Sequence, residues 1–399
     1  MRLDFAYSCD CNRVVMDMFG FWPKYHSNIL RKNWFLISAT LIFIVIIIPR
    51  FAAMCLFWNE VDAVVQCFST QVIFMTMIFR LMVMHFRNAV ALVDLLATMK
   101  EDCLKDLSTI QYAAVLKTAK IGRIIALFLI FSSNCTIVAG VIAMKLYHLD
   151  SLYIKKPDPR LSLDFFWVSY LPFSTETMMP YVLVLSLQFL ASAITGFYFI
   201  FDGFVVMLIL HICGQLKLIQ ISLKNLKDTL TRTKGKNLQM TLGSIMEQHQ
   251  RVIRFAKNLD ESFSLTWFLD LATCTLTFCF LGYIVQKLMH TDHSNIFQMG
   301  FPICSVSCVL IKFFLNCWAG EYLISQSSEI GYAFYDAEWY KLPPAEARLL
   351  MIIGHKRTRP ITLTTGKFST LSISLFVQVL KASASYLSML LVVADQPDT

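Results

Sequence analysis

The sequence predicts an all-α integral membrane protein with seven transmembrane helices, its N-terminus cytoplasmic and its C-terminus extracellular. Composition is the first reason: of 399 residues, 56% are hydrophobic and 16% charged, and the mean hydropathy is +0.58. A soluble domain carries roughly 25% charged residues, so too few remain here to solvate an ordinary surface. The apolar residues also come in runs of about twenty, the length of helix that crosses a bilayer. Those runs lack the period-two alternation of a barrel strand. In hydrocarbon the backbone must satisfy its own hydrogen bonds, so the spans are helical.

Met1 to Lys32 is polar and charged rather than a short apolar leader, so the first span is expected to serve as its own insertion signal. The spans run Phe35 to Leu56, Val64 to Phe86, Ile124 to Met144, Tyr181 to Ile212, Trp267 to Val285, Phe297 to Trp318 and Phe368 to Val393. Arg80 interrupts the second and Lys312 the sixth. No repeat or low-complexity tract divides the chain, so residues 1–399 read as one unit. Its parts are a cytosolic segment 1–34, four spans in 35–212, a cytosolic hairpin 213–266, two spans in 267–318, a cytosolic anchor 319–367, a last span 368–393 and an outer tail 394–399.

Lysine and arginine set the orientation, because cytoplasmic loops retain them. Five lie in the N-terminal segment and six, nine and six in the second, fourth and sixth connections, 26 of the 35 in the chain. The third and fifth connections hold five, and Arg50, Arg80, Lys312 and Lys381 fall within spans. The N-terminus is therefore expected inside, the reverse of a G-protein-coupled receptor. The net charge of +8 follows this pattern and points to membrane lipid as a partner, with no nucleic acid.

Between the fourth and fifth spans, Ile212, Leu216, Ile219, Leu223, Leu226 and Leu230 recur at steps of four and three, a heptad seam. Beyond the polar turn near Lys234, a second stripe runs Ile245, Val252, Phe255, Leu259 and Phe263, with His249 on the same face. Two amphipathic helices extending both spans are expected. His249 reads either as a hydrogen-bonded core residue or as a pH- or ligand-responsive one. Pro343-Pro344 opens a further helix, Ala345 to Ile353, closed by Gly354, and an extended stretch Pro360 to Gly366 leads into the last span.

Catalysis has no support: the chain lacks a glycine-rich phosphate loop, a His/Glu zinc signature and a nucleophile elbow, so neither enzyme, metal nor cofactor is expected. Twelve cysteines are scattered, several inside apolar runs, and Cys9 and Cys11 are too close to bridge. The sequon Asn134-Cys135-Thr136 sits within a span, where no glycan is expected.

The last span is the most informative. Lys367, Thr370, Ser374, Gln378, Lys381, Ser385 and Ser388 share one helical face. Intramembrane polar groups are costly unless they meet water or protein, so this face reads as a pore lining or a subunit interface. Serine and threonine alone could instead bond to their own helix. The face turns apolar at Met389 and Val393, and a ring of such side chains closes a pore by dewetting. Elsewhere Phe68, Gln71, Met75, Gly140, Met144, Tyr147, Tyr181 and Gln188 combine bulky, soft side chains with few polar atoms in the outer halves of the second to fourth spans. That mixture suits a small, mostly apolar ligand with one or two hydrogen-bond anchors; ordinary helix packing is the competing explanation.

The C-terminal third carries Gly320-Glu321 with Leu323 and Ser325, then Ile330, Ala333, Tyr335 and Trp339. Arg348-Leu349-Leu350, Arg359-Pro360, Leu363-Thr364, Gly366, Phe368 and Lys381 through Tyr386 follow. In order and spacing this set resembles the insect odorant receptor family, with weaker echoes at Pro180, Tyr181, Gln188, Asp202 and His211. The resemblance implies a tuning subunit in the plasma membrane of an olfactory neuron. Such a subunit pairs with a shared co-receptor as a heterotetramer, binds volatile odorants and gates a channel for cations. Trp339, Arg348, Leu349, Arg359 and Pro360 would belong to the subunit anchor; Gln378, Lys381, Ser385, Met389 and Val393 would belong to the pore and its gate. A gustatory receptor of the same superfamily is the nearest alternative, although Ser385-Tyr386 and Leu390-Leu391 stand where that family would have Thr-Tyr and Gln-Phe. A G-protein-coupled receptor, or a transporter with inverted repeats, fits less well.

Overall fold

In a computed structural model of the chain, the described residues are 5–18, 22, 29–56, 58, 61–147, 161–162, 165–175, 177–232, 236–289, 296–342, 344, 347–348, 351 and 360–394. The first span is α2 (Ile29–Ile42), a π-helical turn (Phe43–Ile47) and α3 (Ile48–Leu56). Pro49 has no N–H to give and its ring crowds the carbonyl four residues back, which is why the ladder widens just before it. The second and third spans lie in α4 (Val61–Phe86) and α6 (Thr109–Tyr147). Then come a two-strand hairpin, β1 (Leu161–Ser162) and β2 (Ser169–Tyr170), and α7 (Met178–Tyr198), α8 (Ile200–Arg232), α9 (Lys236–Met289) and α10 (Ile296–Asp336). A second hairpin, β3 (Thr364–Thr365) and β4 (Ser369–Thr370), leads into α11 (Ile373–Ala394). Six of these helical stretches are long and apolar enough to cross a bilayer, and α11 adds a shorter apolar stretch, Ile373–Met389.

Helix α8 is the axis of the bundle, buried at every residue from Ile200 to Leu216. The seam residues Ile212, Leu216, Ile219, Leu223 and Leu226 and the facing Ile245, Val252, Phe255, Leu259 and Phe263 are all buried, as is His249. Leu230's side chain lies outside the described part. At about 1.5 Å per residue, the 54 residues of α9 reach about 80 Å, far beyond the roughly 30 Å hydrocarbon core. The helical hairpin and the far half of α10 therefore project together from one end. Gln220 Nε2 donates to the Gln326 carbonyl at 2.9 Å and Lys217 meets Glu329 at 3.3 Å, tying α8 to α10 there.

Four features differ from the sequence-based expectation. The fourth span is broken at Phe199, where Phe199 N–H bonds Gly196 O and Asp202 N–H bonds Phe199 O. The tightened turn lets α8 start afresh with Asp202 aimed inward. The last helix starts at Ile373, not Phe368, because Gly366 and Lys367 adopt left-handed backbone and Leu371 N–H returns to Leu363 O at 2.8 Å. Asp260 holds this hairpin on α9 through the Thr364 hydroxyl at 2.9 Å, and a Cβ on Gly320 would overlap the Leu371 carbonyl. The helix expected from Ala345 to Ile353 falls largely outside the described residues.

The other two features are helices in cytosolic segments to which the sequence assigned no element. In α1 (Phe5–Met18), Cys9, Asn12 and Met16 are buried against the bundle. In α5 (Ala89–Cys103), Leu92, Leu95, Leu96 and Met99 are buried likewise. Asp102 near its end contacts Lys105 at 2.9 Å and His211 at 3.3 Å. Burial would raise this carboxyl, but the bonds and charge of His211 and Lys105 outweigh it and hold it below the ordinary carboxylate value. All twelve cysteines are free.

Candidate ligand-binding site

A cavity of about 80 Å³ lies between α4, α6, α7 and α10, with Phe166 and Trp167 of the segment between β1 and β2 forming part of its wall. A water needs only about 10–15 Å³ of such space, so there is room for a small organic molecule. Phe74, Phe166, Trp167, Phe199 and Phe301 give the wall its aromatic character, with Ile73, Ile137 and Val309 between them. The polar groups are hydroxyls on α4, α6, α7 and α10. No charged side chain lines it.

Trp167 organises this wall from outside the helices. Gln188, fully buried on α7, accepts from Trp167 N–H at 3.1 Å and donates to Trp167 O at 3.2 Å and Ser169 Oγ at 2.9 Å. The Trp167 indole N–H donates to Ser192 Oγ at 2.8 Å. The ring is edge-on to Phe74 at 5.2 Å, and Arg50, one of the four cations within spans, lies 5.0 Å over it. Arg50 Nε also donates to Cys67 O at 3.1 Å, so a buried cation is satisfied by a carbonyl and a ring face.

None of the eight residues suggested by sequence is itself among those lining this cavity. Gln188 stands behind the wall as a clamp on Trp167. Gly140 is also behind it: a Cβ there would come within 2.6 Å of Phe166 and 2.9 Å of Phe301, so its lack of a side chain lets both rings in. Gln71 donates to Ile47 O at 3.3 Å, joining α4 to the first span. Tyr181 stacks on Phe165 at 5.3 Å, and Phe68 is edge-on to Phe280 at 5.3 Å. Phe68 and Met75 are exposed on the outside of the chain. The side chains of Met144 and Tyr147 lie outside the described part. The sequence reading did not single out Phe166 and Trp167, although three consecutive aromatic residues, Phe165-Phe166-Trp167, in the connection were a usable signal.

Directly beside the cavity, sharing Ile73, Phe199 and Val309 with it, is a second cavity of about 30 Å³ around four buried charges. Arg80 on α4 contacts Asp202 on α8 at 2.5 Å and Asp270 on α9 at 2.7 Å. Lys312 on α10 contacts Asp270 at 2.8 Å and Asp202 at 3.5 Å. The two cations that interrupted their spans are thus matched by two carboxylates, so this cluster of four is formally neutral. Among the described residues no group of three or more His, Cys, Asp or Glu side chains could hold a metal.

On α11, Leu375, Val379 and Ser383 are buried towards α9 and α10, as is Leu371 just before it, whereas Gln378, Lys381, Ser385, Tyr386 and Met389 are exposed on this single chain. The Val393 side chain lies outside the described part. In the anchor, Trp339 is half-buried and stacks on Phe334 at 5.6 Å, Arg348 is exposed and Pro360 half-buried; Leu349 and Arg359 lie outside the described residues.

A family model described as 7tm Odorant receptor matches residues 60–384, most of the chain. The chain belongs to the insect odorant receptor family. The receptor is 24% identical over 245 residues to Odorant receptor 22c of Drosophila melanogaster, covering 56% of this chain and 60% of that one. It is 26% identical over 162 residues to the Odorant receptor coreceptor of Anopheles gambiae, covering 40% of this chain and 33% of the relative. The matched stretches thus span from a third to about three-fifths of these curated relatives. The solved insect olfactory receptor OR5 from Machilis hrabei superposes with a TM-score of 0.75 at 16% identity, over 96% of this chain and 97% of that one. The same receptor in complex with eugenol gives 0.76 at 15% identity, over 97% and 98%. At such identity the likeness establishes the seven-helix membrane fold.

Proposed function

We propose that this receptor is a tuning subunit that takes small, mostly apolar volatiles into the Trp167 cavity. With the shared co-receptor, as a heterotetramer in the plasma membrane of an olfactory neuron, it gates a non-selective cation channel. One observation carries the reading: an uncharged, aromatic cavity walled by four spans and bordered by Phe166 and Trp167 of the segment between β1 and β2. Phe199 and Val309 pass from this cavity to the charge cluster, whose members sit on α4, α8, α9 and α10. Helices α9 and α10 in turn carry the buried face of α11, a continuous route from ligand to pore.

In this reading Gln188 and Gly140 shape the pocket indirectly. Phe68 and Met75 face lipid or a neighbouring subunit. Gln378, Lys381 and Ser385 lie along the pore or an interface, with Met389 and Val393 at its apolar constriction. Trp339, Arg348, Leu349, Arg359 and Pro360 belong to the anchor where subunits meet. The cation-rich hairpin end is cytosolic. Met389→Ser should then raise the basal current or alter ion selectivity, since a polar side chain removes the dewetting barrier. Single-cell recording of the co-expressed complex reads this directly, and an unchanged basal current and selectivity would remove Met389 from the gate.

The test of function is whole-cell current from cells expressing this chain with and without an insect co-receptor, challenged with a broad panel of volatiles. Odorant-evoked cation current confined to co-expressing cells is expected. Silence in both, with surface expression confirmed, would refute the tuning-subunit reading.

A further inference from the structure

We propose that the cavity sorts ligands by hydrogen-bond role, taking hydroxyl-bearing volatiles ahead of aldehydes or ethers on the same skeleton, with Ser305 setting the margin. This rests on the cavity being the ligand site. Six hydroxyls line it, and five have their protons committed to backbone carbonyls. Thr70 donates to Cys67 O at 3.3 Å, Ser133 to Gly196 O at 2.9 Å and Thr136 to Ser132 O at 3.1 Å. Ser192 donates to Gln188 O and Thr195 to Ala191 O, both at 2.8 Å. The Trp167 indole proton is also committed, to Ser192. A hydroxyl that has given its proton keeps lone pairs, so these groups offer the cavity acceptors and no donors. The Cys308 thiol, 3.8 Å from Ser132 Oγ, is a weak donor at best.

Ser305 is the exception. It is buried on α10, lines the cavity, and makes no hydrogen bond among the described residues. Its hydroxyl alone can both give and accept. A ligand alcohol or phenol donates to one of the acceptors and accepts from Ser305. An aldehyde or ether oxygen can only accept, so Ser305 is its single strong partner and the remaining lone pairs face it unmatched. One neutral hydrogen bond in such a site corresponds to about threefold to tenfold in affinity.

The experiment compares alcohol, aldehyde and methyl ether on hexyl, octyl, benzyl and phenylethyl skeletons, as dose–response on the co-expressed complex. In the unaltered receptor the alcohol should be more potent by about threefold to tenfold. Ser305→Ala should widen that preference, costing aldehydes and ethers about tenfold and alcohols about threefold. Alcohols no better than aldehydes on every responding skeleton, or equal losses in both classes with Ser305→Ala, would overturn the proposal. The underlying site is tested separately by the cavity-filling variants Ser305→Phe and Thr136→Phe. Loss of all responses in those that reach the surface supports the cavity; undiminished responses, or no current from any compound in the unaltered complex, would overturn the site and this inference with it.

Discussion

Asp270→Asn is expected to lower the melting temperature of the solubilised receptor sharply and cut its surface expression severalfold. The substitution leaves Arg80 and Lys312 sharing Asp202 alone, with a net positive charge buried between α4, α8, α9 and α10. Removing one partner of a buried charge pair costs about 3–5 kcal/mol, because the group left behind has lost its compensation and remains far from water. That is a large part of the roughly 5–15 kcal/mol by which folded domains are stable. The double variant Asp270→Asn with Lys312→Met restores neutrality around the Arg80–Asp202 pair and should recover most of the loss. Fluorescence-detected size-exclusion thermostability on both variants checks this. If the single variant melts with the parent, water reaches the cluster and the four charges are not a closed set.

The second large effect is expected at Gln188. Gln188→Ala removes the three hydrogen bonds that hold Trp167 and Ser169 and strands the Trp167 N–H in a buried setting, while the Trp167 carbonyl keeps only the Ser169 hydroxyl at 2.8 Å. An unsatisfied buried N–H costs about 1–3 kcal/mol, enough to displace the segment that borders the cavity. Responses to every ligand should fall by at least about tenfold while the four helical walls remain. Gln188→Glu should be intermediate, since a carboxylate still accepts from Trp167 N–H but cannot donate to its carbonyl. Dose–response curves normalised to surface label make the comparison; unchanged potency in Gln188→Ala would show that Trp167 does not set access to the site.

The membrane class, the seven spans and the buried seam from Ile212 to Leu226 were legible because a long apolar run and a repeating stripe survive in one dimension. The interruptions at Arg80 and Lys312 were legible as anomalies only. Their partners, Asp202 and Asp270, lie on other helices and no local spacing joins them. Helices α1 and α5 escaped notice although Cys9, Asn12 and Met16, and Leu92, Leu95, Leu96 and Met99, repeat at helical steps, because they are shorter than a span and interleaved with charge. The cavity was the hardest feature. Its wall takes one or two turns from each of four helices, plus a loop with no periodicity at all. Gln188 illustrates the limit: its polar side chain in an apolar span marked an anchor, but only the fold reveals that it binds Trp167.

The most direct test is an electron cryomicroscopy map of the co-expressed complex with an activating odorant bound. Ligand density enclosed by Trp167, Phe199 and Phe301, within hydrogen-bond reach of Ser305 or Thr195, is the predicted result. Density elsewhere in an activated receptor, with this cavity unfilled, would contradict the assignment of the odorant site.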